Sequence, residues 1–457
     1  MQDFSFYIVT DTHLFDNRLG ASGPAYEARS RTDQKCVAET EAIIDAGFAQ
    51  LAQDKETDTV IIPGDLVYRA EKASHLLFIE KLRKLEACGK KIFVITAAHD
   101  YDDNACGFVG NETVPVEGTT FEELRDLYYD FGTKQALSEH RPTHSYVAQL
   151  CDGIRLLALN CDGDKHHAKG VWTDDQKAWM RQQTEQAKKD GQYIFAINHY
   201  PLLPANAVFE LVGDAKMQNW RENAAFLADL GVDLIFTGHM HNQSLTQFTS
   251  PEGHEITDIC TGSFVGHPCA YRKVEMLAEP RKIHITSYTI HDFDWDKGGK
   301  TAEEYFIWRF DRMITDIIDA MAYDFAFFTR LFGGPEKNKK LKAPVTVAGK
   351  ILQKLTLGGV GRLFCFKVDP SIRSRLLKDT GVELVRNIFT GNEPYVRGTP
   401  MYAAVSKLMD RLKPITRIIE KKAGASNPVL SDLKGLMLGL IGDEKQMDYE
   451  AVLDWKI

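Results

Sequence analysis

Residues 1–295 predict an α/β layered architecture, and residues 296–457 a mainly α-helical domain. Three observations carry this division. Through the first part, short apolar runs alternate with amphipathic helical patterns. After Asp292 the strand-like runs stop and helical spacing takes over. Composition divides at the same place: all 14 histidines lie at or before His291. Residues 300–457 hold 26 Lys+Arg and 19 Asp+Glu, while residues 1–299 hold 29 and 45. The chain is thus an acidic, His-rich part followed by a basic, His-free part.

The strand-like runs are Phe4–Thr10, Thr59–Pro63, Lys91–Thr96, Ile154–Asn160, Tyr193–Asn198, Asp233–Thr237 and Glu255–Cys260. Each is short, rich in Val, Ile, Leu or Phe, and closed by turn or polar residues. Between them, Ile43, Ile44, Phe48 and Leu51 share one helical face, as do Leu76, Leu77, Ile79, Leu82 and Leu85. Asp102–Thr120 reads as a loop over one face. Residues 302–332 form a long helical pattern stopped by Gly333-Gly334-Pro335, and further helices are expected near 346–356, 371–390, 401–423 and 429–441.

Length and composition exclude several classes. The 457 residues carry a net charge of −9, and the 26% charged and 44% hydrophobic content is that of a globular chain. The eight cysteines show no C-x-x-C spacing, so neither a zinc ribbon nor a thioredoxin-type site is indicated. Scattered thiols suit a reducing compartment. Phe4 to Val9 already read as a strand, so no secretory leader is expected at the start and the expected location is cytoplasmic. No apolar run approaches the ~18–20 residues of a membrane helix.

The informative residues sit where strands end. The first run ends in Asp11-Thr12-His13, the second in Gly64-Asp65 and the third in His99-Asp100. The fifth ends in Asn198-His199-Tyr200-Pro201 and the sixth in Gly238-His239-Met240-His241. Ligand sites in α/β sheets gather beyond the carboxyl ends of strands. Carboxylate oxygen and imidazole nitrogen suit zinc, iron or manganese. Taken singly, each fragment has an ordinary structural reading: a helix cap beside a surface histidine, a turn, a packed core histidine. Five fragments at five exits in one chain point instead to a shared metal site.

This ordered set resembles the calcineurin-like metallophosphoesterases over about residues 4–290. Gly170-Val171-Trp172 through Gln176 and Trp179 is similar to the helix start that family carries between its third and fourth metal motifs. The resemblance implies a four-layer α/β/β/α sandwich with a dinuclear centre of two divalent or trivalent ions, Mn, Fe or Zn. It assigns Asp11, His13 and His241 to the first metal, His199 and His239 to the second, and Asp65 as the bridge between them. It places His99 near substrate as the proton donor, with Asp100 orienting its ring. The implied function is hydrolysis of a phosphodiester, or a phosphomonoester, by attack of a metal-bound hydroxide on phosphorus. An imidazole serves as donor because it titrates near neutral pH.

The sequence departs from the family at one position. The third motif normally reads Gly-Asn-His-Asp, and here it reads Ala97-Ala98-His99-Asp100. The Asn amide oxygen usually binds the second metal, and Ala98 cannot, so a weaker second site is expected. Asn104 could substitute if its loop folds back. The alternative reading is a degenerate member that binds a phosphorylated ligand with little turnover.

Other features remain open. The run Asp162-Gly163-Asp164-Lys165-His166-His167 could reach the mouth of the cleft or be a solvated loop. Tyr101, His144 and His267 could line a pocket or pack in the core. The expected partner is a small phosphorylated substrate. The clusters Lys337, Lys339, Lys340, Lys342 and Lys413, Arg417, Lys421, Lys422 could be solvated helix faces or peripheral membrane contacts, and no strong nucleic-acid signal accompanies them. No G-x-x-x-x-G-K loop is present, and Gly358–Gly361 reads as a turn. The sequence leaves the oligomeric state open.

Overall fold

The computed structural model describes residues 2–101, 104–162, 169–330, 334–424, 427–443 and 448–456. In chain order the strands are β1 (Phe4–Ile8), β2 (Thr59–Pro63), β3 (Lys91–Ile95), β4 (Cys106–Val109) and β5 (Glu112–Pro115). They continue with β6 (Ala136–His140), β7 (Ser145–Cys151), β8 (Ile154–Ala158), β9 (Tyr193–Ile197) and β10 (Leu234–Thr237). The last five are β11 (Ser244–Thr249), β12 (Glu255–Cys260), β13 (Ala270–Leu277), β14 (Lys282–Thr289) and β15 (Glu450–Asp454).

One sheet has the order β15-β14-β13-β1-β2-β3 and the other β11-β12-β10-β9-β8-β7-β6. At the heart of each sheet the strands run parallel: β1, β2 and β3 in the first, β8, β9, β10 and β12 in the second. Parallel neighbours need crossover connections. Helices supply them: Thr40–Gln53, Lys72–Ala87, Asp174–Lys189 and Trp220–Asp229. Strands buried on both faces read as unbroken apolar runs, and β2 and β9 are buried at every position.

Three cores fill the gaps between layers. Phe6, Ile8, Ile61 and Phe93 meet Leu156, Phe195, Ile197 and Phe236 between the sheets. The Phe6 ring stacks on Phe195 at 5.0 Å. Ile43, Ile44, Phe78 and Leu82 pack helices on the outer face of the first sheet. Trp179, Met180, Leu227 and Ala228 do the same on the second. The result is the four-layer α/β/β/α sandwich that the family resemblance implied.

The antiparallel strands were less visible in the sequence. β13 and β14 alternate buried and partly buried side chains over part of their length, the period-2 signal of a half-buried hairpin. The segment expected as a loop over Asp102–Thr120 contains the β4–β5 hairpin.

The helical region begins with Ala302–Tyr323, whose start carries a Thr301/Glu304 capping box. The long pattern breaks at Asp324 before a second helix, Phe325–Arg330. Tyr305 and Phe306 join the outer core of the first sheet, and the Tyr305 hydroxyl donates to Glu39 at 2.6 Å. Further helices are Lys342–Lys354, Leu357–Leu363, Leu377–Thr390, Pro400–Ala423 and Leu433–Ile441. Gly358–Gly361, expected as a turn, lies inside Leu357–Leu363, where Gly361 leaves room for the Phe366 carbonyl. Residues 296–457 do not remain purely helical: β15 pairs antiparallel with β14 and so extends the first sheet. The fully buried Arg272 secures this return, donating to the carbonyls of Asp448 at 2.7 Å and Cys260 at 2.8 Å. Among the described residues, no helix is long and apolar enough to cross a membrane.

Candidate metal centre

The parallel strands point their carboxyl ends to one edge of the sandwich. Asp11 and His13 follow β1, Asp65 follows β2, His99 and Asp100 follow β3, His199 follows β9, and His239 and His241 follow β10. At three of these exits, after β1, β2 and β10, the chain turns sharply. Asp11 (φ 53°), His13 (φ 38°), Asp65 (φ 52°), His239 (φ 67°) and His241 (φ 55°) all adopt left-handed backbone. Such conformations are uncommon for non-glycine residues and cost of order 1–3 kcal/mol each. Five at one site mean that the surrounding fold imposes them.

Two ligand groups result. Asp11, His13 and His241 offer donor atoms within 4.8 Å of one another, and so do Asp65, His199 and His239. In the first, His241 Nε2 is 3.1 Å from Asp11 Oδ1 and 3.0 Å from His13 Nε2. In the second, His199 Nε2 is 3.1 Å from Asp65 Oδ2. Asp65 Oδ2 also lies 3.7 Å from His13 Nε2, so this carboxylate reaches toward both groups.

Neighbouring residues orient the donors. His199 Nδ1 lies 2.8 Å from the Pro63 carbonyl, which turns Nε2 to the site. His241 Nδ1 lies 2.7 Å from Gln34 Oε1. His239 Nε2 lies 2.8 Å from the Asp214 carbonyl, leaving Nδ1 for a ligand, and the Tyr200 ring stacks on it at 3.8 Å. Hydrogen bonds of this kind set the tautomer of a metal-binding histidine. Asp11 Oδ2 accepts from Thr10 Oγ1 at 2.8 Å and from the His239 amide at 2.9 Å.

The donor set suits cations. Asp11 Oδ1 and His199 Nε2 are buried, and their contacts at 3.1 Å, to His241 Nε2 and Asp65 Oδ2, lack hydrogen-bond geometry; buried polar atoms left so call for an explanation. Burial alone would raise the Asp11 carboxyl, but His241, His199 and His13 hold it well below the usual carboxylate range. Burial would likewise raise Asp65, and His199 and His99 hold it well below. Burial, aided by Lys35, lowers His13 to about 3, and burial and His199 lower His239 to about 3. His199 is raised to about 10 despite its burial, because Asp65 and Asp11 face it. Two buried carboxylates thus hold a proton on His199 while His13 and His239 stay neutral, and a cation would take that proton's place. Anionic carboxylates and neutral imidazoles are the forms that bind metal. The residues present therefore fit two ions.

Glycines make room for this packing. A Cβ at Gly238 would collide with Thr10 Oγ1 and Asp11 Oδ2. Gly64 sits at φ 92°, and a Cβ there would come within 2.8 Å of His199 Nδ1. Gly238→Ala is expected to destabilise the chain by ~1–3 kcal/mol through overpacking and to displace Asp11. Urea unfolding would measure the first effect and metal content the second.

The remaining expectations resolve as follows. The His99 amide donates to Asp65 Oδ1 at 3.1 Å, and its ring centroid is 5.2 Å from that of His13. Asp100 does not take the ring-orienting role. Its Oδ1 accepts the Leu66 and Val67 amides at 2.8 and 3.0 Å, and its Oδ2 accepts the Ala97 amide at 2.8 Å. It instead ties the β2 exit to the β3 exit. Trp172 and Gln176 buttress the site: Trp172 Nε1 donates to Asn198 Oδ1 at 3.3 Å, and Gln176 Nε2 to the Asn160 carbonyl at 2.9 Å. His144 stacks flat on Phe121 and His267 packs beside Phe310, so both are packing residues. Tyr101 is buried, its hydroxyl donating to the Asp162 carbonyl at 3.0 Å. Of the run Asp162–His167, residues 163–167 lie outside the described residues, while Asp162 is fully buried.

One neighbour was not singled out in the sequence. Lys35 is 8% exposed, and its Nζ lies 3.5 Å from His99 Nε2. It arrives through the segment before helix Thr40–Gln53, held by an isolated bridge to Gly266. No strand exit or motif marks it.

Comparison by sequence with curated proteins finds no match. Among solved structures, the chain is similar to a dimetal phosphatase from Danio rerio, at 12% identity and a TM-score of 0.46, covering 64% of this chain and 97% of that one. It is also similar to a purple acid phosphatase from yellow lupin (Lupinus luteus), at 14% identity and a TM-score of 0.37, covering 63% and 52%. The family model described as calcineurin-like phosphoesterase matches residues 4–243, more than half the chain. That match spans every strand exit from Asp11 to His241, and the chain belongs to the calcineurin-like phosphoesterases.

Proposed function

We propose that the protein hydrolyses phosphate esters, with a phosphodiester as the preferred substrate. The observation that carries this reading is the pair of ligand groups, Asp11/His13/His241 and Asp65/His199/His239, facing each other with the Asp65 carboxylate between them. Two ions held there would supply Lewis-acid polarisation of the phosphoryl group and a lowered pKa for water.

The chain's own residues do the rest. His99 sits beside this pair and donates a proton to the departing ester oxygen. That donation matters most when the leaving group is a poor one, which is why a diester is favoured. Lys35 Nζ and His99 Nε2 converge at 3.5 Å. A phosphoryl oxygen between them would receive a charge-assisted hydrogen bond from the ammonium and stand close to the proton donor. Asp100, through the three amides it accepts, keeps the β3 exit in register with Asp65. Thiolates play no part, since no cysteine occurs at these exits.

Steady-state assays of the manganese-loaded full chain on a dialkyl phosphate and the matching alkyl phosphate, whose alkoxide leaving groups need a proton, test the proposal. Turnover of both is expected, with the larger kcat/KM on the diester. No turnover with manganese, zinc or iron would leave the ligand-binding alternative in its place.

A further inference from the structure

We propose that Asp162 supplies the second metal group with the ligand that Ala98 lacks. This rests on the reading that Asp65, His199 and His239 hold a cation, and it removes the reason to expect that site to be weak.

Asp162 lies at the exit of β8, which runs parallel to β9 with Ala158 opposite Ile197. Its chain position is therefore beside the exit that delivers His199. The residue has no solvent exposure, and among the described residues neither of its carboxylate oxygens has a partner of full hydrogen-bond geometry, the Ala98 amide being the one backbone donor that acts on it. A buried carboxylate without partners is strongly disfavoured. The contrast with nearby buried acids is sharp. Asp100 accepts three backbone amides. Asp258 accepts the Leu203 amide and the Thr237 hydroxyl. Asp162 alone of these three is left open on both oxygens.

Its register beside the His199 exit and the groups around it point toward the second site. The groups acting on its charge are His199, Asp65 and Lys169, together with the backbone amide of Ala98. Burial pushes its carboxyl up to about 6, against the pull of His199. The Ala98 amide belongs to the residue where the family carries its ligating Asn. The carboxylate thus approaches the same corner of the site from the neighbouring sheet.

The backbone of Asp162 is fixed while its side chain is not. Its amide donates to Asn160 Oδ1 at 2.9 Å, and its carbonyl accepts from the Tyr101 hydroxyl at 3.0 Å. Asp162 stands outside the group of three that already converge within 4.8 Å. Ion binding would draw the carboxylate inward, against no more than the pull of the Ala98 amide. A hard oxygen donor suits manganese, iron or zinc. It also replaces a neutral amide oxygen with an anionic one, so the exchange adds charge to the site.

The test is manganese binding by the full chain, followed by equilibrium dialysis with elemental analysis and by the electron paramagnetic resonance signal of a coupled pair. Wild type is expected to hold two ions. Asp162→Ala should hold one at wild-type affinity and the other at least tenfold more weakly, with the coupled signal lost. Asp162→Ala combined with Ala98→Asn should recover the second ion and the coupling. The metal-free Asp162→Ala chain should melt no lower than metal-free wild type, because an unpaired buried charge has been removed; a merely structural aspartate would give the opposite. Asp162→Leu, nearly isosteric and without a donor atom, provides the same comparison if the alanine variant folds poorly. Two ions of unchanged affinity in both single Asp162 variants would overturn the proposal while leaving the metal site intact. A wild-type chain that binds no ion would overturn the metal reading as a whole.

Discussion

Asp65→Asn is expected to lower kcat/KM on a diester by on the order of a thousandfold, equivalent to about 4 kcal/mol of transition-state stabilisation. The substitution should leave the fold in place. Asp65 sits at φ 52°, a conformation that Asn tolerates better than most residues. An amide oxygen can still accept the His99 amide now bonded to Oδ1. What it lacks is the negative charge that reaches toward both ligand groups through Oδ2. Metal content per chain should therefore fall together with activity. Full metal content with unchanged kcat/KM would remove Asp65 from the bridging role.

The second large effect is expected at His99. His99→Ala should cost ~10²–10⁴-fold in kcat on a diester with an alkoxide leaving group, the usual worth of a positioned general acid. On bis-p-nitrophenyl phosphate the loss should be about tenfold or less, because p-nitrophenolate departs without a proton. The dependence on leaving group is the diagnostic. A residue that only supports the fold, or only holds Asp65 through its amide, would lower both rates equally. Equal losses across the series would reassign His99 to positioning. Metal content should stay at the wild-type value, since the ring belongs to neither ligand group.

Much of this site was legible in the sequence because its signals are local. A parallel strand buried on both faces must be an apolar run, so its end is marked by the first polar residues after it. Asp11, Asp65, His99, His199 and His239 all fall within a few residues of such ends. The helices between them show their buried faces at helical spacing. The antiparallel strands β6, β7, β11 and β14 were harder to read, since half of a solvent-facing strand is polar and β propensity is set by neighbours. β15 was the least visible of all. Its partner, β14, lies more than 150 residues earlier in the chain.

The roles of buried polar groups followed the same division. Asp100 is adjacent to His99 in sequence, yet one of its oxygens accepts the Leu66 and Val67 amides of another strand exit and the other the Ala97 amide of its own. Lys35 carries no motif, yet folding sets its ammonium beside His99. Asp162 read as part of a run that could reach the mouth of the cleft or be a solvated loop, and folding buries it completely.

The sequence by itself determined the α/β layering and the kinds of metal-binding atom at the strand ends, because apolar periodicity and the residues at strand ends are properties of short segments; the sandwich and the pair of cations followed from the family resemblance those residues carry. Only the tertiary structure decided which carboxylates are already satisfied and which remain open to an ion. That depends on amides, hydroxyls and cations brought together from distant parts of the chain, and on burial that makes each unmet bond costly.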